Sequence, residues 1–361
     1  MARWSILRRI SAYGGSFTYS SSKHMVFPPI DLTRSLSFSL IHTSADDELL
    51  LQRILTHHGT ASKFIGKNDI TGLVEKYLRS GNISDAHSLL QSLPDRKFFL
   101  PDAQERVLRA AAEKGDFEIS CRVFRQLLSG GEPLSSECYL NLARAFMETD
   151  DCTHLFRLLK EVAESSTRTN GLTVINRTLL AFAESRQIDK VLLMLDQMKG
   201  WECKPDLITC NTVLDILGRA GNLNEMLRLF SSMKEDGLVP DIITYNTLFN
   251  GFKKAGRLDL CTIYYEEMHR SGIQPDLLTY TAVIDSFGRS GNIEDSLRLF
   301  DEMKQRKISP SLYIYRALID SLKKSGNLLK AMQLSDEMNS SSPADLARPE
   351  DFKRTRKTCR R

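Results

Sequence analysis

Five methionines, Met198, Met233, Met268, Met303 and Met338, stand 35 residues apart. Gly221, Gly256, Gly291 and Gly326 keep the same spacing, and so do Pro205, Pro240, Pro275 and Pro310. A period between about 20 and 50 residues builds a stack of units, each packed on its neighbours, rather than a globule around one core. Such a stack has no single cleft. It offers a long surface on which one position per unit can vary, which suits reading a polymer.

One unit, 207–241, shows what is repeated. Val213, Leu214 and Leu217 follow helical spacing. Gly221 and Asn222 supply the chemistry of a break. A second helix starts near Leu223 and carries Met226, Leu229, Phe230 and Met233 at i, i+3, i+4 and i+7, on one face. Pro240 cannot continue it, and Asp241 can cap the helix that follows. Each unit is predicted as a helix–turn–helix pair, and the chain as an all-α solenoid of stacked pairs.

The frame yields eight units: 67–100, 101–135, 136–170, 172–206, 207–241, 242–276, 277–311 and 312–346, with the best over 172–311. The first three are degenerate but in phase. Gly81 and Gly115 keep the turn there, whereas Asp150-Asp151 replaces it. The last unit loses its end to Ser340-Ser341-Ser342-Pro343. Residues 46–66 are a candidate capping helix.

The N-terminus differs in kind. Residues 1–30 hold Arg3, Arg8, Arg9 and Lys23 and no acid, with abundant Ser and Thr. Trp4, Ile6, Leu7 and Ile10 form an apolar face if this stretch is helical. That is the composition of an organelle transit peptide, expected over 1–45 with cleavage within 30–45. Mitochondrion is favoured over chloroplast because the amphipathic segment begins almost at Met1. The 347–361 tail is basic.

Charge and chemistry exclude other classes. Lys plus Arg number 49 against 45 for Asp plus Glu, a net charge of +4, so nucleic-acid binding must use a local stripe of charge. The seven cysteines are scattered without a Cys-x-x-Cys, as suits a reducing compartment. No apolar run reaches the roughly 18 residues that span a bilayer, so no membrane partner is expected. There is no phosphate-loop motif and no zinc deaminase signature. The chain is expected to be no enzyme and to need no metal or cofactor.

Ile243-Thr244-Tyr245-Asn246-Thr247-Leu248-Phe249-Asn250-Gly251, then Lys254-Ala255-Gly256-Arg257, Tyr265-Glu266-Glu267-Met268 and Gly272-Ile273-Gln274-Pro275-Asp276 resemble a pentatricopeptide repeat. The uninterrupted 35-residue spacing resembles the P class of plant-type organellar members. The resemblance implies a right-handed superhelix that binds single-stranded organellar RNA. In it, one base is read per repeat by the fifth residue with help from the last, and the second residue packs against the base.

Carried over, the reading residues are Asn176 with Asp206, Asn211 with Asp241, and Asn246 with Asp276, the combination the family associates with pyrimidine, preferably uridine. An amide can donate to and accept from a uracil edge, and a carboxylate can orient the amide. Thr281 with Ser311 leans to purine, weakened by the serine. Ile208, Ile243 and Leu278 take the packing position; Thr173 departs from it. The remaining units lack a matching pair. The implied partner is RNA with a short uridine-rich stretch, alongside ribosomal or processing proteins.

Both sets of residues have a plainer reading. The aspartates follow proline and could simply cap the next helix. A mid-helix Asn is harder to explain so, because its side chain competes for backbone hydrogen bonds. Arg79, Arg219, Lys254, Arg289 and Lys324 recur near the ends of first helices and would line up for phosphates. Cations there also stabilise a helix C-terminus. The expectation is a steric RNA-binding protein acting in RNA processing, stability or translation. Alternatives are a structural subunit of an organellar ribosome or other ribonucleoprotein, or a protein-binding scaffold.

Overall fold

The computed structural model describes residues 67–93, 99–165, 168–201, 204–341, 346–348 and 351. All belong to the larger of two compact units, 53–361. The expected transit peptide, the candidate capping helix and nearly all of the basic tail lie outside the described residues.

Sixteen helices follow one another, with no strand among the described residues. They alternate as first and second helices: α1 Lys67–Arg79 and α2 Ile83–Gln91, α3 Pro101–Glu113 and α4 Phe117–Ser129, α5 Ser136–Ala145 and α6 Thr153–Ser165, α7 Arg168–Glu184 and α8 Ile188–Met198. Then come α9 Leu207–Ala220 and α10 Leu223–Glu235, α11 Ile242–Lys254 and α12 Leu258–Arg270, α13 Leu277–Arg289 and α14 Ile293–Gln305, α15 Leu312–Lys324 and α16 Leu328–Ser340. The fold is an all-α solenoid.

Local chemistry sets the boundaries. Asp206, Asp241, Asp276 and Ser311 are the N-caps of α9, α11, α13 and α15, each accepting from a backbone N–H three residues on. The first helix of the degenerate third unit, α5, is capped by Ser135. The unit that begins at Leu172 lacks this punctuation, and its first helix alone overruns the frame. Before Leu172 the sequence has no proline, and α7 begins four residues upstream at Arg168. At the other end of α9, Gly221 takes φ 79°, a left-handed conformation that relieves the last turn. The equivalent position after α7 is Arg186, which is forced to φ 61° without being glycine.

The first helices form a continuous row, each packed on the first helix of the next unit and, except for α5, on its own second helix. The second helices make a looser outer layer. The row is tightest between α9 and α11, where a Cβ added to Gly218 would stand 3.1 Å from the Cα of Gly251. Met198, Met233, Met268 and Met303 are fully buried between the layers, each such side chain contributing about 1.5–3 kcal/mol. Met338 is only half-buried, and Leu328, Leu329 and Met332 on α16 are exposed. Among the described residues no further unit covers that helix. Within three successive units the buried tyrosine of the first helix donates to a glutamate of the second: Tyr245 to Glu267 at 3.2 Å, Tyr280 to Glu302 at 3.0 Å and Tyr315 to Glu337 at 2.8 Å.

Candidate nucleic-acid interface

The site grows out of the caps. Asp241 Oδ1 accepts from the Thr244 backbone N–H at 2.8 Å, and the Asp241 N–H donates to Thr244 Oγ1 at 3.2 Å, a reciprocal capping box at the start of α11. The same carboxylate reaches back to the preceding first helix and accepts from Asn211 Nδ2 at 3.3 Å. The Thr244 hydroxyl lies 2.8 Å from Asn211 Oδ1. One unit later the arrangement recurs. Asp276 accepts from the Thr279 N–H at 2.9 Å and from Asn246 Nδ2 at 3.1 Å, and the Thr279 hydroxyl lies 2.7 Å from Asn246 Oδ1.

Capping and pairing are therefore not rival roles for these aspartates; one carboxylate does both. The two remaining pairs behave differently. Asp206 caps α9 through the Thr209 N–H at 2.8 Å and lies 2.9 Å from its hydroxyl. Asn176 Oδ1 is buried with no hydrogen-bond partner among the described residues. Thr281 donates to its own helix at Leu277 O, 2.6 Å away, while the buried Ser311 accepts from the Ile314 N–H. No bond among the described residues joins Thr281 to Ser311.

Access is uneven. Asn211 is half-buried, but Asn246 is only 3% exposed, so a base reaches it only if neighbouring side chains part. Ile208 is 67% exposed, whereas Ile243 and Leu278 are half-buried. Thr173 is exposed.

All five cations of the expected stripe are exposed, yet most are already engaged. Arg79 pairs with Glu75 at 3.2 Å, Arg219 with Asp215 at 3.1 Å and Arg289 with Asp285 at 2.9 Å, each from one turn earlier in its helix. Lys254 donates to the Arg219 carbonyl at the end of the preceding first helix. The acid four residues before the cation is present in the sequence and is the signal by which this neutralisation can be recognised.

Sequence reasoning also passes over a cluster across α11, α13 and α15. Asp285, 4% exposed, is held by Lys253, by Arg289 and by the Tyr313 hydroxyl at 2.9 Å. Lys253 also donates to Tyr313 Oη at 2.9 Å. Burial alone would lower the pKa of the Lys253 ammonium, but hydrogen bonds to Asp285 and Tyr313 outweigh it and hold the pKa above its ordinary value. Tyr313, 44% exposed, occupies the second position of its unit. Among the described residues no group of three or more His, Cys, Asp or Glu side chains could hold a metal ion, and no helix is long and apolar enough to cross a membrane.

The PPR repeat family matches residues 205–254, 240–289 and 275–324, and a single PPR repeat matches 313–342. The chain carries pentatricopeptide repeats over residues 205–342. The three longer matches open on Pro205, Pro240 and Pro275, the proline period of the sequence. A pentatricopeptide repeat-containing protein of Arabidopsis thaliana is 58% identical over 201 residues, 54% of this chain and 54% of that protein. The chain thus spans about half the length of the curated relative it matches. Among solved structures, the maize pentatricopeptide repeat protein PPR10 is similar at 26% identity and a TM-score of 0.41, covering 82% of this chain and 44% of that one. The pentatricopeptide repeat domain of the Arabidopsis thaliana protein-only RNase P 1, in complex with tRNA, is similar at 18% identity and a TM-score of 0.41, covering 48% and 93%.

Proposed function

We propose that this protein binds single-stranded RNA in a sequence-dependent way, with a P-class arrangement of repeats and no chemistry of its own. The observation that carries the proposal is the half-buried Asn211 amide, anchored by Asp241 at 3.3 Å on the first-helix row and repeated 35 residues on by Asn246 and Asp276. An ordered amide offers a donor and an acceptor to a base edge, and a row of them at one per unit matches a polymer of bases. Capping alone explains the aspartates but leaves two mid-helix asparagines unexplained.

The preferred ligand is a short pyrimidine stretch, mostly uridine. Bound there, the protein shields or remodels a transcript and leaves catalysis to recruited partners. Its N-terminal 1–45 segment directs it to an organelle, the mitochondrion in preference to the chloroplast, which imaging of a fluorescent fusion to that segment tests directly.

The decisive experiment is selection of binders from a random RNA pool with the full-length protein. Enrichment of a motif with consecutive pyrimidines is expected. Asn211→Thr should then shift one position of that motif away from uridine toward a purine. Binding without enrichment moves the weight to a ribonucleoprotein subunit or a protein scaffold.

A further inference from the structure

The hydroxyls of Thr244 and Thr279 belong to the repeat after the asparagine they touch, and capping does not account for both of their bonds. Thr244 Oγ1 lies 2.8 Å from Asn211 Oδ1 and 2.9 Å from Asp241 Oδ1. A hydroxyl has one proton to give. Asp241 Oδ1 already accepts from the Thr244 N–H and from Asn211 Nδ2, whereas Asn211 Oδ1 has no other donor among the described residues. The accounting sends the proton to the asparagine. Thr279 stands in the same relation to Asn246, at 2.7 Å, with Asp276 again holding the Nδ2 side. Each amide is gripped at both ends, oxygen by threonine and nitrogen by aspartate.

We propose that Thr244 and Thr279 are positioning residues that lock the amide of the preceding repeat against a half-turn, and thereby let Asn211 and Asn246 separate uracil from cytosine. This rests on those asparagines being base readers. Uracil presents the O4 acceptor beside the N3–H donor; cytosine presents the N4 amino donor beside the bare N3 acceptor. A half-turn of an asparagine amide exchanges its oxygen and nitrogen, so a free amide suits either edge and tells pyrimidine from purine without telling the two pyrimidines apart. With the oxygen held toward threonine and the nitrogen toward aspartate, only one of the two edges is matched. A turned amide would lose the Nδ2 bond to Asp241 and set its carbonyl oxygen against the carboxylate, acceptor against acceptor.

The chain contains its own comparison. Asn176 has Thr209 and Asp206 in the equivalent places, but its Oδ1 is buried without a partner and Thr209 bonds Asp206 instead. Asn176 is unlocked and should accept uridine and cytidine alike.

The test measures binding of the full-length protein to RNAs carrying uridine or cytidine at each position of the selected motif, each position being assigned to a reader by its response to Asn→Thr at that reader. At the base facing Asn211, uridine should be favoured by about tenfold or more, and at the base facing Asn176 by less than about threefold. Thr244→Val should reduce the discrimination at Asn211 to less than about threefold while leaving rejection of purines intact. Thr244→Ser, which restores the hydroxyl, should recover it, and Thr209→Val should leave the preference at Asn176 unchanged. Equal discrimination at Asn176 and Asn211 in the unaltered protein overturns the proposal without any variant having to fold. So does a Thr244→Val protein that keeps its uridine preference. A protein with no base preference anywhere overturns the RNA-reading function and this inference with it, a result distinct from the other two.

Discussion

At the scale of single residues, His87 is out of keeping with its surroundings. It sits on α2, 3% exposed, and neither ring nitrogen has a hydrogen-bond partner among the described residues. Burial drives its pKa down to about 4, the nearby Arg122 guanidinium adds to the effect and Asp116 opposes it. The ring is neutral when folded and takes a proton near pH 6.5 when unfolded. Between those values the unfolded chain binds the extra proton, so stability falls as pH falls through that window. On going from pH 7 to pH 5, this one group should cost on the order of 2 kcal/mol. Urea denaturation of the wild type and of His87→Leu at both pH values isolates the contribution. The leucine variant should lose less stability on acidification, and equal losses would show that the histidine is not the origin.

At the scale of helices, much is legible in the sequence, because the punctuation consists of residues with special backbone needs. Gly237 at φ 79° ends one helix, Asp241 after Pro240 caps the next, and Gly221 relieves a C-terminus at φ 79°. The overrun of α7 to Arg168 is harder to see, since a missing proline is not a positive signal. The Thr244–Asn211 contact is also hidden. Its partners are 33 residues apart, and only the register of two packed helices brings them together. Missing punctuation has an energetic consequence after α7. Exposed Arg186 holds φ 61° where the following units have glycine, a conformation that costs a residue with a Cβ roughly 1–2 kcal/mol. Glycine gives part of this back through its larger unfolded-state entropy. Arg186→Gly should therefore stabilise the array by roughly 0.5–1 kcal/mol, read as a higher urea midpoint at unchanged m-value. A lower midpoint would mean that the arginine side chain contributes more than its backbone strain removes.

At the scale of the whole molecule, the question is how a chain of net charge +4 would hold a polyanion. The exposed cations recur at the ends of first helices, but Arg79, Arg219 and Arg289 each carry a carboxylate from one turn earlier. The exposed Arg219–Asp215 pair adds about 0–1 kcal/mol to stability, so removing Asp215, unlike the buried Asp285, should hardly change folding. It should change the field along the helix row. Phosphate must compete with Asp215 for the Arg219 guanidinium, and the carboxylate itself repels the RNA. Asp215→Asn should tighten RNA binding several-fold at low salt and steepen the dependence of log K on log salt, by up to about 0.7 for one added single-strand phosphate contact. Arg219→Ala should do the reverse, weakening all sequences about equally. Both effects should fade at high salt, where screening shortens the reach of exposed charges. If Asp215→Asn leaves affinity and salt slope unchanged, Arg219 serves only the C-terminus of its helix. Base contacts and stacking against exposed side chains such as Ile208 would then supply the binding.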